Sequence, residues 1–115
     1  MRYQALMVRR FDPSDAPRVA RIFAEHDQSE LPGLIGVQRR TLFHLEDLYL
    51  HLAESDVDFV ARLHRATTHP LFQDVDRQLA GLLSGYTSAT GTMASSAAAP
   101  FYQWTADAAA GQGRP

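Results

Sequence analysis

The sequence contains no cysteine, which excludes disulfides, thiolate nucleophiles, cysteine-ligated zinc and iron–sulfur clusters. It also contains no lysine, because all 11 residues of the Lys+Arg class are arginine. A chain without lysine cannot form a lysine Schiff base with a carbonyl substrate. If the protein makes carbon–carbon bonds, it must do so with acid–base and electrostatic groups.

Long hydrophobic runs and an excess of positive charge are missing as well. No segment approaches the roughly 20 apolar residues of a membrane span, and the N-terminal residues carry no signal-peptide pattern. The formal net charge of -2 gives no electrostatic footprint for nucleic acid. We therefore expect a cytoplasmic protein with neither a nucleic-acid nor a membrane partner.

The 115 residues, 45% of them hydrophobic, predict a single globular domain. We assign residues 1–107 to this domain and 108–115 to a disordered tail. Within the domain, the stretch 84–100 is rich in Gly, Ser, Thr and Ala, which is typical of a mobile loop. A domain this small often builds its pocket with help from a partner subunit.

The periodicity of apolar residues predicts the element order β-α-β-β-α-β. We predict strands at 3–11, 37–45, 48–54 and 101–105. The first helix follows the cap at Asp12 and runs to about residue 29 or 30, where Leu31-Pro32-Gly33 ends it. Later helical patterns begin at Ser55 or Asp56 and after Pro70. The order indicates an α+β, ferredoxin-like split βαβ fold, with a four-stranded antiparallel sheet and helices on one face.

The two middle strands read as a hairpin with a two-residue connection at Glu46-Asp47. This register pairs Leu42 with His51 and Arg40 with Ala53. Because side chains alternate, one face is apolar and carries Phe43, Leu45, Leu48, Leu50 and Leu52. We call this set the leucine face. The opposite face is polar with apolar residues between, and carries Arg40, Leu42, His44, Tyr49 and His51.

The first helix has a stripe of apolar residues that includes His26, so His26 is expected to point at the sheet. If Arg40 and His51 face the same side, all three converge on a pocket between helix and sheet. The leucine face then needs another partner, and the sheet of a second subunit is the natural one. We therefore predict a homodimer with a dimeric α+β barrel.

Several short motifs then occur in a characteristic order. They are His26-Asp27, Glu30-Leu31-Pro32, Ile35-Gly36-Val37, the run from Arg39 to Leu52, and His69-Pro70-Leu71-Phe72. Together they resemble the tetracenomycin-type aromatic polyketide cyclases, over roughly residues 3–83. The resemblance implies cofactor-independent, regiospecific ring closure of an aromatic polyketide intermediate by aldol condensation and loss of water. It also implies a polyketide substrate, with type II polyketide synthase components as candidate partners.

The resemblance implies four functional residues, His26, Asp27, Arg40 and His51. Histidine suits proton transfer near neutral pH, and the planar guanidinium of arginine suits enolate oxygens. For substrate binding we predict Phe23 on the helix and the residues that share the face of His51, namely Leu42, His44 and Tyr49. Which histidine is the base and which the acid stays open.

Each candidate also has a structural interpretation. His51 can be a hydrogen-bonded core histidine, and His26 a partner for the helix dipole. Two histidines and Asp27 could bind zinc or iron, but they lack tight spacing, so we predict no metal site. The same fold can also support a cofactorless monooxygenase that forms quinones, or a non-catalytic polyketide-binding subunit.

Overall fold

The computed structural model describes residues 1–87 and 94–106. Its elements are β1 (Tyr3–Phe11), α1 (Ala16–Asp27), α2 (Leu31–Ile35), β2 (Arg39–Leu45), β3 (Leu48–Ser55), α3 (Val60–Ala66), α4 (Pro70–Leu79) and β4 (Leu83–Gly85). The strands form one four-stranded antiparallel sheet in the order β2-β3-β1-β4. The predicted α+β class and split βαβ order are confirmed. Within the described residues, no helix is long and apolar enough to cross a membrane.

The hairpin of β2 and β3 has the predicted register. Leu42 is the cross-strand partner of His51, and Arg40 is the partner of Ala53. The connection is tight, and Glu46 adopts a left-handed backbone conformation with φ of 52°. The register places Arg40 and His51 on the same face, one step apart diagonally across the two strands.

The first helix begins much as the sequence predicts. The side chain of Asp12 accepts a hydrogen bond from the backbone N–H of Ser14, at 3.0 Å, and caps a short 3-10 turn that leads into α1. The buried stripe of α1 consists of Val19, Ile22, Phe23 and His26. Burial of this stripe fixes α1 on the sheet, and His26 points inward with it.

The segment after α1 differs from the prediction. Leu31-Pro32-Gly33 does not simply stop a helix, because it begins the short helix α2. Proline is tolerated there, since the first turn of a helix has backbone N–H groups without intrahelical partners. Gly36 ends α2 in a left-handed conformation with φ of 92°, which delays β2 to Arg39.

The next helix also starts later than predicted. Ser55 is the last residue of β3 and is fully buried, and its hydroxyl accepts the N–H of Val57 at 3.1 Å. The carboxylate of Asp58 accepts the N–H of Val60 at 3.2 Å. The polar side chains of Ser55 and Asp58 therefore shape a turn, and α3 begins at Val60.

The prediction of a final strand at 101–105 is wrong. Residues 98–106 form no strand, and the fourth strand is β4, which pairs with the Arg9–Phe11 end of β1. The first two residues of the predicted mobile loop at 84–100 belong to β4, and near its other end Ala97 bridges to Met7. Residues 88–93 and the predicted tail at 108–115 lie outside the described residues.

The two faces of the sheet have different environments. The helix-facing side of β3 is buried at Tyr49, His51, Ala53 and Ser55. On the leucine face, the side chains of Phe43 and Leu45 are 52% and 66% exposed. The polar face of the hairpin therefore lies under the helices, and the apolar leucine face is turned outwards.

Candidate active site

A cleft lies between the helix layer and the inner face of the sheet. Together with the solvent space at its mouth it contains about 820 Å³ that no protein atom fills. Its wall is mainly apolar and includes Met7, Phe23, Leu31, Ile35, Phe59 and Phe72. Of the eight predicted site residues, six line it: Phe23, His26, Asp27, Arg40, Tyr49 and His51.

Arg40 is the most connected polar group of the cleft. Its Nη2 and Nε bind the carboxylate of Asp27 at 2.8 Å (to Oδ1) and 3.1 Å (to Oδ2), which is a bidentate ion pair. Its guanidinium carbon lies 4.8 Å from the centre of the Phe23 ring. The third nitrogen, Nη1, lies 2.9 Å from Nε2 of His51. Three partners therefore hold the guanidinium in one orientation.

The contact with Arg40 determines the tautomer of His51, and burial together with the charge of Arg40 determines its protonation state. A guanidinium can only donate hydrogen bonds, so Nε2 of His51 accepts, and the proton of the neutral ring is on Nδ1. Burial and then the charge of Arg40 lower the pKa of His51 from 6.5 to about 3. His51 is therefore a neutral imidazole near pH 7. Its ring also packs edge-on against Phe23, with 5.1 Å between ring centres.

Tyr49 is buried beside His51 on β3, and its hydroxyl lies 3.4 Å from Nδ1 of His51. Burial raises the pKa of the Tyr49 phenol above its ordinary value, while the charges of Arg40 and Arg9 act in the opposite direction. Arg9 lines the cleft as well and is the cross-strand partner of Tyr49. Arg9 was not among the predicted site residues, although its spacing of two residues from Met7 and from Phe11 places all three on the inner face of β1.

His26 uses both ring nitrogens in hydrogen bonds to acceptors. Nδ1 lies 2.9 Å from the carbonyl oxygen of Ile22, and Nε2 lies 2.8 Å from Oδ2 of Asp74 on α4. Neither a carbonyl nor a carboxylate can donate, so this geometry favours the doubly protonated, imidazolium form of the ring. The hydrogen bond to Ile22 and the interactions with Asp74 raise the pKa of His26 against the opposing effect of burial. No sequence signal marked Asp74 as the partner.

Leu42 and His44 were predicted to bind substrate, but neither lines the cleft. Leu42 packs against the core beside His51. His44 lies close to the hairpin turn and is exposed, with its ring centre 6.0 Å from that of Phe11. Leu42 and His44 share a face of the sheet with His51, but this does not place them in the cleft, because the helices cover only part of that face.

The candidate ligands for a metal ion were His26, Asp27 and His51. In residues 1–87 and 94–106, no group of three or more His, Asp and Glu side chains is arranged to hold a metal ion. Two of the three candidate ligands are engaged elsewhere, because Asp27 binds Arg40 and His26 binds Asp74.

The chain is similar to several known proteins. Residues 3–105 match the model of a family described as polyketide synthesis cyclase. The chain is 51% identical over 106 residues to tetracenomycin F2 cyclase of Streptomyces glaucescens, covering 92% of this chain and 97% of that protein. It is 36% identical over 106 residues to the polyketide synthase CurG of Streptomyces cyaneus, covering 91% and 99% of the two chains.

A solved structure is also similar. The structure of tetracenomycin F2 cyclase from Streptomyces glaucescens, described as a type-II polyketide cyclase, superimposes with a TM-score of 0.84 at 50% sequence identity. The match covers 91% of this chain and 99% of that chain. The likeness therefore extends over the whole described core, including the cleft.

Proposed function

The chain belongs to the polyketide synthesis cyclase family, and we propose that it closes a ring of an aromatic polyketide intermediate by intramolecular aldol condensation and dehydration. One observation carries the proposal. In a mainly apolar cleft, a neutral imidazole and a fixed guanidinium, His51 and Arg40, are in direct contact. A base next to an oxyanion binder is the pair of groups that enolate chemistry requires.

The apolar wall supports a substrate of fused and folded carbon rings. Aromatic side chains such as Phe23, Phe59 and Phe72 present flat surfaces to a polyketide, and their burial excludes water. A polyketide has many carbonyl groups that can react with one another, so selectivity depends on binding one folded conformer. We assign this selection to the shape of the cleft.

The reaction begins when a substrate oxygen takes over the hydrogen bond from Arg40, which frees the lone pair on Nε2 of His51. The negative charge that develops on this oxygen offsets the charge of Arg40, so His51 becomes a stronger base than in the free protein, where its pKa is about 3. His51 then removes a proton from a carbon flanked by carbonyl groups, and the electron pair of the C–H bond becomes an enolate held by Arg40. The enolate carbon bonds to a ketone carbon of the same molecule. The ketone oxygen becomes an alkoxide and takes the proton back from His51, and loss of that hydroxyl with a neighbouring proton releases water.

The other two proposed residues are Asp27, which positions Arg40, and His26, which supplies positive charge. Asp27 holds Arg40 through the bidentate ion pair, which keeps the guanidinium aimed at the oxyanion. His26 is held as a cation on the wall of the cleft, so we assign it electrostatic stabilisation of negative charge and not the role of the base. This division makes His51 the base of the pair.

We further propose that the protein acts as a homodimer joined through the leucine face. Phe43 and Leu45 are more than half exposed on a continuous apolar sheet surface, and a second copy of the same surface would bury both. Components of a polyketide synthase that supply the intermediate remain candidate partners.

Incubation with tetracenomycin F2, the compound named in its relative, tests the proposed function. With no metal or nucleotide added, we expect a product lighter by one water, detected by mass spectrometry. A product that gains oxygen with measurable oxygen consumption would instead indicate the monooxygenase. An unchanged compound, together with a panel of other partly cyclised polyketides left intact, would contradict both and favour a binding subunit.

A further inference from the structure

The cleft contains a chain of hydrogen bonds with a defined direction. Arg40 donates to Nε2 of His51, which fixes the ring proton on Nδ1, and Nδ1 faces the hydroxyl oxygen of Tyr49 at 3.4 Å. The chain therefore runs from the guanidinium through the imidazole to the phenol. Each member polarises the next, so the positive charge of Arg40 makes the last donor stronger.

The phenol at the end of this chain has a hydrogen left to donate. Its oxygen accepts from His51, and within the described residues Tyr49 makes no other hydrogen bond. The side chain is only 3% exposed and lines the cleft. A buried donor requires an acceptor, and a substrate oxygen bound in the cleft can supply one.

We propose that Tyr49 is a further catalytic residue, whose hydroxyl donates a hydrogen bond to the substrate oxygen that becomes negative during ring closure. This inference rests on the proposed cyclase function. The phenol keeps its proton throughout, so no bond of Tyr49 is broken. Arg40 and Tyr49 then form two donors of an oxyanion site, joined by His51.

Two further features of the site support this role. Burial raises the pKa of the Tyr49 phenol, so the group remains a donor at neutral and mildly alkaline pH. Arg9 lies directly across from Tyr49 on β1 and adds positive charge on that side of the cleft. The raised pKa keeps the proton on the phenol, and the positive charge of Arg9 favours negative charge on a substrate oxygen next to it.

If Tyr49 served only to pack against its neighbours, removal of its hydroxyl would leave the activity unchanged. Its ring lies edge-on to Phe11, with 5.6 Å between ring centres, and phenylalanine at position 49 would keep this contact. Substitution of Tyr49 by phenylalanine therefore separates the hydroxyl from the packing. Tyr3 on β1 is 39% exposed and lies outside the cleft, so Tyr3→Phe is the matched control.

For Tyr49→Phe we expect kcat with tetracenomycin F2 to fall about 100-fold while KM changes little, because the donor acts mainly on the charge of the transition state. Tyr3→Phe should retain wild-type kinetics, and both variants should keep the wild-type circular dichroism spectrum. A Tyr49→Phe variant with more than half of the wild-type kcat would overturn the role of Tyr49 and leave the cyclase function standing.

Two measurements test the inference without turnover. Nitrogen-15 NMR of the His51 ring should show Nδ1 protonated and Nε2 unprotonated, and the opposite tautomer would refute the chain. Absorbance titration with 4-nitrophenolate should show about 10-fold weaker binding to Tyr49→Phe than to the wild type or Tyr3→Phe, because one hydrogen bond to a charged oxygen is lost. Equal affinities would overturn the proposal even if tetracenomycin F2 is not a substrate.

Discussion

His26 on α1 and Asp74 on α4 are 48 residues apart in the chain, and Nε2 of the histidine lies 2.8 Å from Oδ2 of the aspartate. The pair joins two helices at the wall of the cleft. Because Nδ1 of His26 is bound to a carbonyl oxygen, the ion pair requires a fully protonated ring. The charge on His26 is thus a consequence of how α1 and α4 pack together.

Replacing Asp74 by asparagine should lower the pKa of His26. The pKa of His26 is raised in the folded protein. The stabilisation from protonated His26 is therefore fully present below about pH 6.5 and is lost as the pH rises through the folded-state pKa. The pKa of Asp74 is lowered in the folded protein. The stabilisation from ionised Asp74 is therefore lost as the pH falls through its folded-state pKa. Asp74→Asn should therefore destabilise the protein most between about pH 4.5 and 6.5, and progressively less above.

Thermal unfolding at pH 5.5 and at pH 8.5, with proton NMR titration of His26, measures this effect. The exposed Asp56→Asn removes the same charge away from the pair and serves as the control. A destabilisation of Asp74→Asn that is equal at the two pH values would show that the ion pair does not hold the proton on His26.

Replacing Arg40 by alanine should lower the rate of the proposed ring closure by about 100-fold or more, because the enolate loses its charged donor. Arg39→Ala is the matched control, since Arg39 is adjacent in sequence but lies on the opposite face of β2, 3.7 Å from a carboxylate oxygen of Glu54. Steady-state kinetics should show wild-type rates for Arg39→Ala. Equal losses in the two variants would mean that the effect is not specific to the cleft.

Asp27→Asn should have a smaller effect on turnover, about 10-fold. The asparagine removes one charge from the bidentate pair, but Arg40 keeps its contacts with His51 and with the ring of Phe23. The same kinetic assay compares Asp27→Asn with Arg40→Ala. A larger loss in Asp27→Asn than in Arg40→Ala would assign the carboxylate a direct role in proton transfer.

Replacing His51 by glutamine should flatten the acid side of the stability profile. The pKa of His51 is about 3 in the folded protein and near 6.5 in the unfolded chain. Below about pH 6.5 the unfolded chain binds a proton that the folded protein does not, so the free energy of unfolding decreases as the pH falls. Below about pH 6 this residue alone gives a slope of about 1.4 kcal/mol per pH unit. Glutamine keeps an acceptor for Arg40 but takes up no proton.

Urea unfolding between about pH 6.5 and pH 4.5, above most carboxylate titrations, measures this slope. His64 on α3 is exposed, and His64→Gln should leave the profile unchanged. A His51→Gln profile as steep as that of the wild type would show that other groups cause the loss of stability in acid.

Replacing Leu45 by glutamate should convert the proposed dimer to a monomer, because each copy would place a charge in the apolar interface. Val60 on α3 is 52% exposed and lies on another surface, so Val60→Glu should remain dimeric. Multi-angle light scattering at micromolar concentration gives both masses. A wild-type protein that is already monomeric there would refute the dimer.

The hairpin shows how far the sequence alone could lead. The alternation of apolar and polar residues in β2 and β3, and the short connection at Glu46-Asp47, were sufficient to predict the pairing of Arg40 with Ala53. Both signals are local: the side chains of a strand alternate with a period of two, and a tight turn leaves one register. The same locality explains why the stripe of α1 that carries His26 was predicted correctly.

The fourth strand shows where local signals fail. Residues 101–105 have the aromatic and β-branched composition of a strand. In the structure, however, the fourth strand of the sheet is the three-residue β4. Strand propensity depends strongly on the neighbours available, and β4 forms because Leu83 is brought beside Phe11 at the edge of the sheet. A three-residue strand carries no periodic signal that sequence analysis could use.

By itself, the sequence determined the element order, the face of the sheet that carries Arg40 and His51, and the absence of thiol and lysine chemistry. Only the tertiary structure decided that Asp74 meets His26 and that Arg9 lies across from Tyr49, because these contacts join elements distant in the chain. The pKa of His26 is raised by its hydrogen bond to Ile22 and by Asp74, and that of His51 is lowered by burial and by Arg40, so the two histidines differ in protonation. A pKa depends on burial and on the charges and hydrogen bonds within a few ångströms, and that environment exists only after the chain has folded.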